Sequence, residues 1–163
     1  MSNTLDSNRQ LDTAGMRAAA SRFLGDVSVA LPRYEYVQRD AQQFFRFLWQ
    51  LIPQIEQLTG RTAATDAPAM AALAGVGEAR RRLDLIERPG LRGEVERVTR
   101  LARSVMALCD HYDILCGVVM CLACDKPIQD GDESVPYDQI SPSGRAKQAG
   151  RIHASCANTI RRR

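Results

Sequence analysis

Apolar side chains recur at alternating steps of three and four residues over much of the chain, which places them on one face of an α-helix. This spacing predicts four helices, over residues 13–24, 33–58, 67–86 and 93–116. Pro53 lies inside the second stretch, so we expect that helix to kink or to end near Ile52. The first dozen residues are polar, and we expect residues 1–12 to be disordered.

Short connections join these predicted helices. Asp66 followed by Pro68 is a typical helix start, and the segment with Pro89 and two glycines is a strong helix stop. Helices with short connections fold back on their neighbours, which favours an antiparallel three- or four-helix bundle over residues 13–116. A coiled-coil dimer built on the same apolar seams is the alternative.

The periodicity changes after Gly117. Residues 118–124 and 134–140 have the composition of short strands, with a turn-rich segment between them, and the end of the chain is compatible with a short helix. The predicted fold is therefore mainly α: the bundle, then a small α+β module over residues 117–163.

Four potential metal ligands in this module, Cys121, Cys124, His153 and Cys156, follow the pattern C-x2-C and H-x2-C. Three thiolates and one imidazole complete a tetrahedral set for one structural Zn²⁺ per chain, without the open position that a catalytic zinc keeps for water. We expect His153 and Cys156 to share one face of a helical first turn. A redox C-x-x-C pair and a chance pairing of cysteines are the alternatives.

The motif CLACDKPIQDGDE followed by IHASC resembles the treble-clef class of zinc modules. That resemblance implies a zinc knuckle, a β-hairpin and a helix that donates the last two ligands from its first turn. It also implies a module that binds proteins or nucleic acids and catalyses nothing.

Two other cysteines, Cys109 and Cys116, lie one heptad apart and are expected to be small apolar residues of the fourth helix, although Cys116 is a rival ligand. The neighbouring cluster CDHYD raises the question of a second site. Helical geometry points His111 away from the face that carries Cys109 and Asp113, so convergence is not expected.

Charge and composition narrow the class of protein. The net charge of +3 is too small to indicate nucleic acid by itself. The polar N-terminus lacks the apolar core of a signal peptide, no apolar run could cross a bilayer, and the cysteines fit a reducing compartment. We therefore expect a cytoplasmic protein without a membrane partner.

The C-terminal end is the most one-sided in charge. Six basic residues follow Asp138 with no acidic residue among them: Arg145, Lys147, Arg151, Arg161, Arg162 and Arg163. They either complement the negative end of a final helix or form a strip that contacts nucleic-acid phosphates.

The runs LAGVGEARRRLDL and RLARSVMALCDHYDIL resemble an uncharacterised actinobacterial family labelled as associated with natural-product biosynthesis, over roughly residues 30–115. That resemblance implies no catalytic residues. We also find no Gly-rich phosphate loop, no G-x-S-x-G and no H-E-x-x-H motif, so no catalytic residue is predicted.

The leading hypothesis is a non-enzymatic, zinc-stabilised interaction or regulatory protein with a protein partner, in which the bundle supplies a second surface or a homodimer contact. The alternatives are a transcriptional regulator that binds DNA through the basic strip, and an accessory protein or enzyme of natural-product biosynthesis.

Overall fold

The computed structural model describes residues 11–86, 88–129, 131–140 and 147–160. The chain divides into two compact units, one up to Leu115 and one from Cys116 onward. The first unit contains α1 (Thr13–Val29), α2 (Tyr34–Thr59), α3 (Ala67–Leu83) and α4 (Leu91–Leu115). The second unit contains β1 (Val119–Met120), β2 (Pro127–Ile128), β3 (Ser134–Ile140), β4 (Lys147–His153) and α5 (Ala154–Ile160).

Helix α1 starts where the sequence indicates and extends further than predicted. The Asp12 side chain accepts a hydrogen bond from the Gly15 N–H at 2.9 Å and so satisfies one of the free donors of the first turn. The helix continues five residues beyond the predicted end at residue 24, to Val29, and the Ala30 N–H still bonds to the Asp26 carbonyl. Most of the predicted disordered segment lies outside the described residues.

Pro53 does not end α2, so of the two predicted outcomes, a kink or an end near Ile52, the end does not occur. The helix runs on to Thr59 with Pro53 inside it. A proline removes one helical N–H donor, but here it lies on the exposed side, while Leu51 and Ile55 on either side are fully buried. Core packing of these neighbours offsets the lost hydrogen bond.

Residue pairs across the bundle give the helix directions. Thr13 at the start of α1 bonds to Asp113 near the end of α4, so these two helices are antiparallel. Gln38 and Glu94, near the starts of α2 and α4, bond to each other, so this pair is parallel.

Helix α3 runs against α4, because its Gly75 lies beside His111 and its later residue Arg82 bonds to Ser104. The four helices alternate up and down, which confirms the predicted antiparallel bundle. Helix α4 packs against all three of the others. The largest fully buried side chains in the core of the bundle include Phe44, Leu48, Leu51, Ile55, Leu101 and Leu108.

The described residues of the second unit form two small antiparallel sheets and one short helix. Strand β1 pairs with β2, and β3 pairs with β4 over seven residue pairs from Ser134–His153 to Ile140–Lys147. The strand predicted over 134–140 is confirmed as β3. The strand predicted over 118–124 is too long, because the chain turns after Met120 to form the loop that carries Cys121 and Cys124.

Candidate metal centre

A tight turn holds the first two candidate ligands. The Cys121 N–H donates to the Lys126 carbonyl at 2.9 Å, and the Asp125 N–H donates to the Cys121 carbonyl at 2.9 Å. Asp125 adopts a left-handed backbone conformation with φ of 55°, which aspartate tolerates better than most residues. The turn lets the thiols of Cys121 and Cys124 approach one point.

The second pair comes from the junction of β4 and α5. His153 is the last residue of β4, and Cys156 lies in the first turn of α5. The Ala154 N–H at the helix start donates to the Glu133 carbonyl at 2.8 Å, which ties this junction to the residue before β3. We expected both ligands on one helical turn, and this is wrong for His153, which the strand delivers.

The four side chains converge. Their candidate ligand atoms all lie within 4.8 Å of one another. The Nδ1 atom of His153 is 3.5 Å from the Cys124 Sγ and 3.9 Å from the Cys156 Sγ. A tetrahedral zinc ion with ordinary bond lengths would place sulfur and nitrogen ligands about 3.5 Å apart. Both the donor set and its spacing therefore fit one metal ion.

Contacts beyond the donor atoms orient His153. Its Nε2 atom lies 3.3 Å from the Pro127 carbonyl and 3.7 Å from Oδ2 of Asp132. That carboxylate oxygen also accepts the Gln129 N–H at 2.9 Å, a contact that favours this position of the side chain. An Nε2–H bonded to a carbonyl leaves the Nδ1 lone pair facing the sulfur atoms, which is the usual arrangement around a metal-bound histidine.

Cys121 is the most deeply buried of the four candidate ligands. Its side chain is fully buried, and the His153 N–H donates to its sulfur at 3.4 Å. Burial opposes ionisation, but N–H groups of His153, Ala123 and Cys124 point at the sulfur and together lower the pKa of Cys121 to about 6. Hydrogen bonds to a thiolate favour the form that binds a metal.

Cys156 is perturbed in the opposite direction. Burial and hydrogen bonds to the sulfurs of Cys124 and Cys121 raise the pKa of Cys156 to about 11. Neighbouring thiolates repel one another, so several adjacent cysteines do not ionise together readily. A cation between the sulfur atoms would offset this repulsion.

Strand β4 lies close to the turn that carries Cys121. The Leu122 N–H donates to the Arg151 carbonyl at 3.0 Å. At Gly150, an added Cβ would come within 2.6 Å of a methyl carbon of Leu122, so a larger residue would require the Leu122 side chain to shift. This contact brings the turn of the first pair next to the strand that delivers His153.

One protein-family model matches residues 14–116 of the chain, which span the helical unit from α1 to the end of α4. The chain belongs to the Family of unknown function (DUF6415). The match ends before Cys121, so all four candidate ligands lie outside it. The comparisons with curated proteins and with solved structures gave no match.

The family description states no function, so it gives no support to the natural-product label. Within the described part of the chain, none of the helices combines the length and the apolar character that a membrane crossing requires.

Of the basic C-terminal residues, the structure describes only Arg151 in full. Its guanidinium is exposed and donates to the hydroxyl and the carbonyl of Ser134, both at 2.9 Å. Lys147 starts β4. The remaining four, Arg145, Arg161, Arg162 and Arg163, lie outside the described residues.

The CDHYD cluster does not form a second metal site among the described residues. Cys109 is fully buried in the bundle, and burial raises the pKa of its thiol to about 12. His111 packs against Gly75 of α3, where burial lowers its pKa although Asp110 acts in the opposite direction. Cys116 is exposed and follows the end of α4, so the expectation that it is an apolar helix residue is wrong.

The acids of that cluster bind Arg17, a contact that sequence reasoning missed. The Arg17 guanidinium lies 2.8 Å from Asp110 and 2.7 Å from Asp113, and the Thr13 hydroxyl donates to Asp113 at 3.0 Å. Burial alone would lower the pKa of Arg17, but the two carboxylates raise it above its ordinary value. No local spacing links residues so far apart in sequence.

Proposed function

We propose that this chain is a non-enzymatic, zinc-stabilised interaction protein with a regulatory role. In this proposal Cys121, Cys124, His153 and Cys156 hold one structural Zn²⁺ per chain. The second unit then acts as a treble-clef-like module whose folded surface binds a protein partner.

The observation that carries the proposal is the convergence of four protein donors on one point, with His153 oriented by Pro127 and Asp132. A zinc ion bound by three sulfurs and one nitrogen is fully coordinated and has no open position for a reacting water. Such an ion supplies folding free energy rather than chemistry.

The small core of the second unit supports a folding role for the metal. In its described part, the fully buried apolar residues are Cys121 and Ile152. Two buried side chains offset little of the conformational entropy that ordering such a segment costs. Structural zinc contributes on the order of 10 kcal/mol to the folding of small modules.

Metal content tests the proposal directly. We expect one zinc per chain in the wild type by elemental analysis. The Cys124→Ser variant should lose the metal, and amide hydrogen exchange should then accelerate in the second unit while α1–α4 keep their protection. Cys116→Ser is the matched control, because this exposed cysteine is outside the cluster and its loss should leave zinc in place. Stoichiometric zinc in Cys124→Ser would contradict the proposed ligand set.

The partner can be sought by capture from the host cell with the chain as bait, with and without a chelator. The proposal requires a protein whose capture is lost when zinc is removed. A partner retained equally by Cys124→Ser would bind the bundle and not the zinc module.

The nucleic-acid alternative rests on the basic strip Arg145–Arg163, in which Arg151 is exposed. It requires affinity for duplex DNA that falls steeply with added salt. An affinity that does not change with salt would exclude phosphate contacts as its basis. The natural-product alternative rests on the resemblance of the helices alone.

A further inference from the structure

The helical unit contains a cavity of about 350 Å³ between α2 and α3. Its apolar wall consists of Trp49, Ile52, Pro53 and Leu83. This volume is at the lower end of the range for small-molecule sites, which are also mostly apolar with a few polar groups. The cavity lies far along the chain from the Cys3His cluster, and nothing in the metal centre uses it.

The polar groups of the cavity carry a net negative charge. Glu56 and Arg80 line it and form an ion pair of 2.6 Å, so their charges cancel. Asp84 also lines it, is exposed, and has no basic partner in the part of the chain that the structure describes. One carboxylate therefore remains free to receive a cation.

Two features of the helices that line the cavity leave backbone carbonyls without a helical donor. Pro53 has no N–H, so the Trp49 carbonyl lacks the hydrogen bond that a residue four positions later normally donates in a helix. Helix α3 ends at Leu83, and its last carbonyls form the negative end of the helix dipole. The neighbouring arginines of that last turn, Arg81 and Arg82, are engaged with Glu78.

Trp49 adds a third feature that favours a cation. It is the one tryptophan of the chain, and its side chain is 71 % exposed although it borders an apolar cavity. An indole ring attracts an ammonium group over its face more strongly than other aromatic rings do. A bound ligand would also cover part of this exposed ring.

We propose that this cavity binds a small amphipathic amine. The apolar body of the ligand packs against Ile52, Pro53 and Leu83, and its ammonium group lies between the Asp84 carboxylate and the Trp49 ring. An anion is disfavoured at the same position because Arg80 is already paired and the free groups are acceptors. A neutral molecule of the same shape gains the apolar contact without the charge contact.

Trp49 fluorescence provides the test, with 4-phenylbutylamine as the probe. The neutral 4-phenylbutanol and the anionic 4-phenylbutanoate are the matched comparison ligands, and free N-acetyltryptophanamide corrects for collisional quenching. We expect saturable binding of the amine, with an affinity about fivefold above that of the alcohol, as for one exposed charge contact. The carboxylate should bind more weakly than both.

Variants distinguish this site from general hydrophobic binding. Asp84→Asn should remove the preference for the amine over the alcohol, and Leu83→Phe should weaken both ligands by filling the cavity. Glu35→Gln, an exposed acid outside the cavity, should change neither. The proposal is overturned if the amine and the carboxylate bind equally, or if Asp84→Asn leaves the preference intact. It is also overturned if Trp49 is quenched by raising the protein concentration alone, because a second copy would then occupy the groove.

Discussion

Replacing Asp113 by alanine tests the account of how α1 is held on the bundle. The side chain of Asp113 is only 6 % exposed, and that of its partner Arg17 is 17 % exposed. The carboxylate accepts hydrogen bonds from Arg17 and from the Thr13 hydroxyl, one residue after the cap of α1. Asp113→Ala therefore removes one acceptor from the Arg17 guanidinium and the acceptor of the Thr13 hydroxyl. Because the site is mostly buried, water replaces this acceptor poorly.

The structure sets the magnitude of this effect. Removing one partner of a buried ion pair typically costs about 3–5 kcal/mol. Arg17 keeps its contact to Asp110, which is 45 % exposed and so more strongly screened by water. We therefore expect a loss of about 3 kcal/mol for Asp113→Ala. Thr13→Ala, which removes one hydrogen bond to a charged group, should cost about 1.5 kcal/mol.

Urea unfolding followed by far-UV circular dichroism measures both losses. With a typical slope for a small domain, about 3 kcal/mol lowers the midpoint by roughly 1–3 M urea. Glu56→Gln is the matched control, because it removes an acid from an ion pair that is exposed on both sides and should cost less than about 1 kcal/mol. A loss for Asp113→Ala no larger than that of the control would refute the reasoning.

Two further predictions concern the packing of the helices. Gly93→Ala should destabilise the bundle by about 2 kcal/mol in the same urea assay, because a Cβ there would overlap the Arg88 carbonyl. Gly25→Ala, with nothing near its Cβ, should instead stabilise it by about 0.5–1 kcal/mol, and equal effects would contradict the geometry. In alkylation with iodoacetamide at pH 8, Cys116 should react while Cys109 stays protected, since burial raises the pKa of the Cys109 thiol to about 12 and so keeps it protonated. Mass-spectrometric mapping gives the two rates, and comparable rates would mean that the α4 core opens readily.

The bundle was predictable because its information is local and periodic. Residues such as Phe44, Leu48 and Leu51 repeat at helical spacing and are all buried as expected. Local patterns could not show that α2 would continue through Pro53, because that outcome depends on the packing of residues beyond it. The Arg17–Asp113 contact could not be predicted either, since it joins residues of the first and the last helix of the unit.

The metal centre was predictable as a set of ligands but not as a local structure. Thiol and imidazole spacing identified Cys121 and its three companions, which the fold brings together. Strand β4 was missed because its sequence KQAGRIH is mostly polar and contains Gly150, and so has no strand alternation. Its absence from the prediction led to the incorrect placement of His153 on a helix. The role of Asp132 beside that histidine had no signal beyond an Asp-Gly turn.

X-ray absorption at the zinc edge of the purified chain tests the central claim most directly, because it reports the atoms bound to the metal. The account predicts three sulfur ligands at about 2.3 Å and one nitrogen ligand at about 2.0–2.1 Å, with no bound water. A spectrum with two sulfurs and additional oxygen ligands, or a preparation in which Cys121 and Cys124 are joined in a disulfide and no zinc is bound, would contradict it.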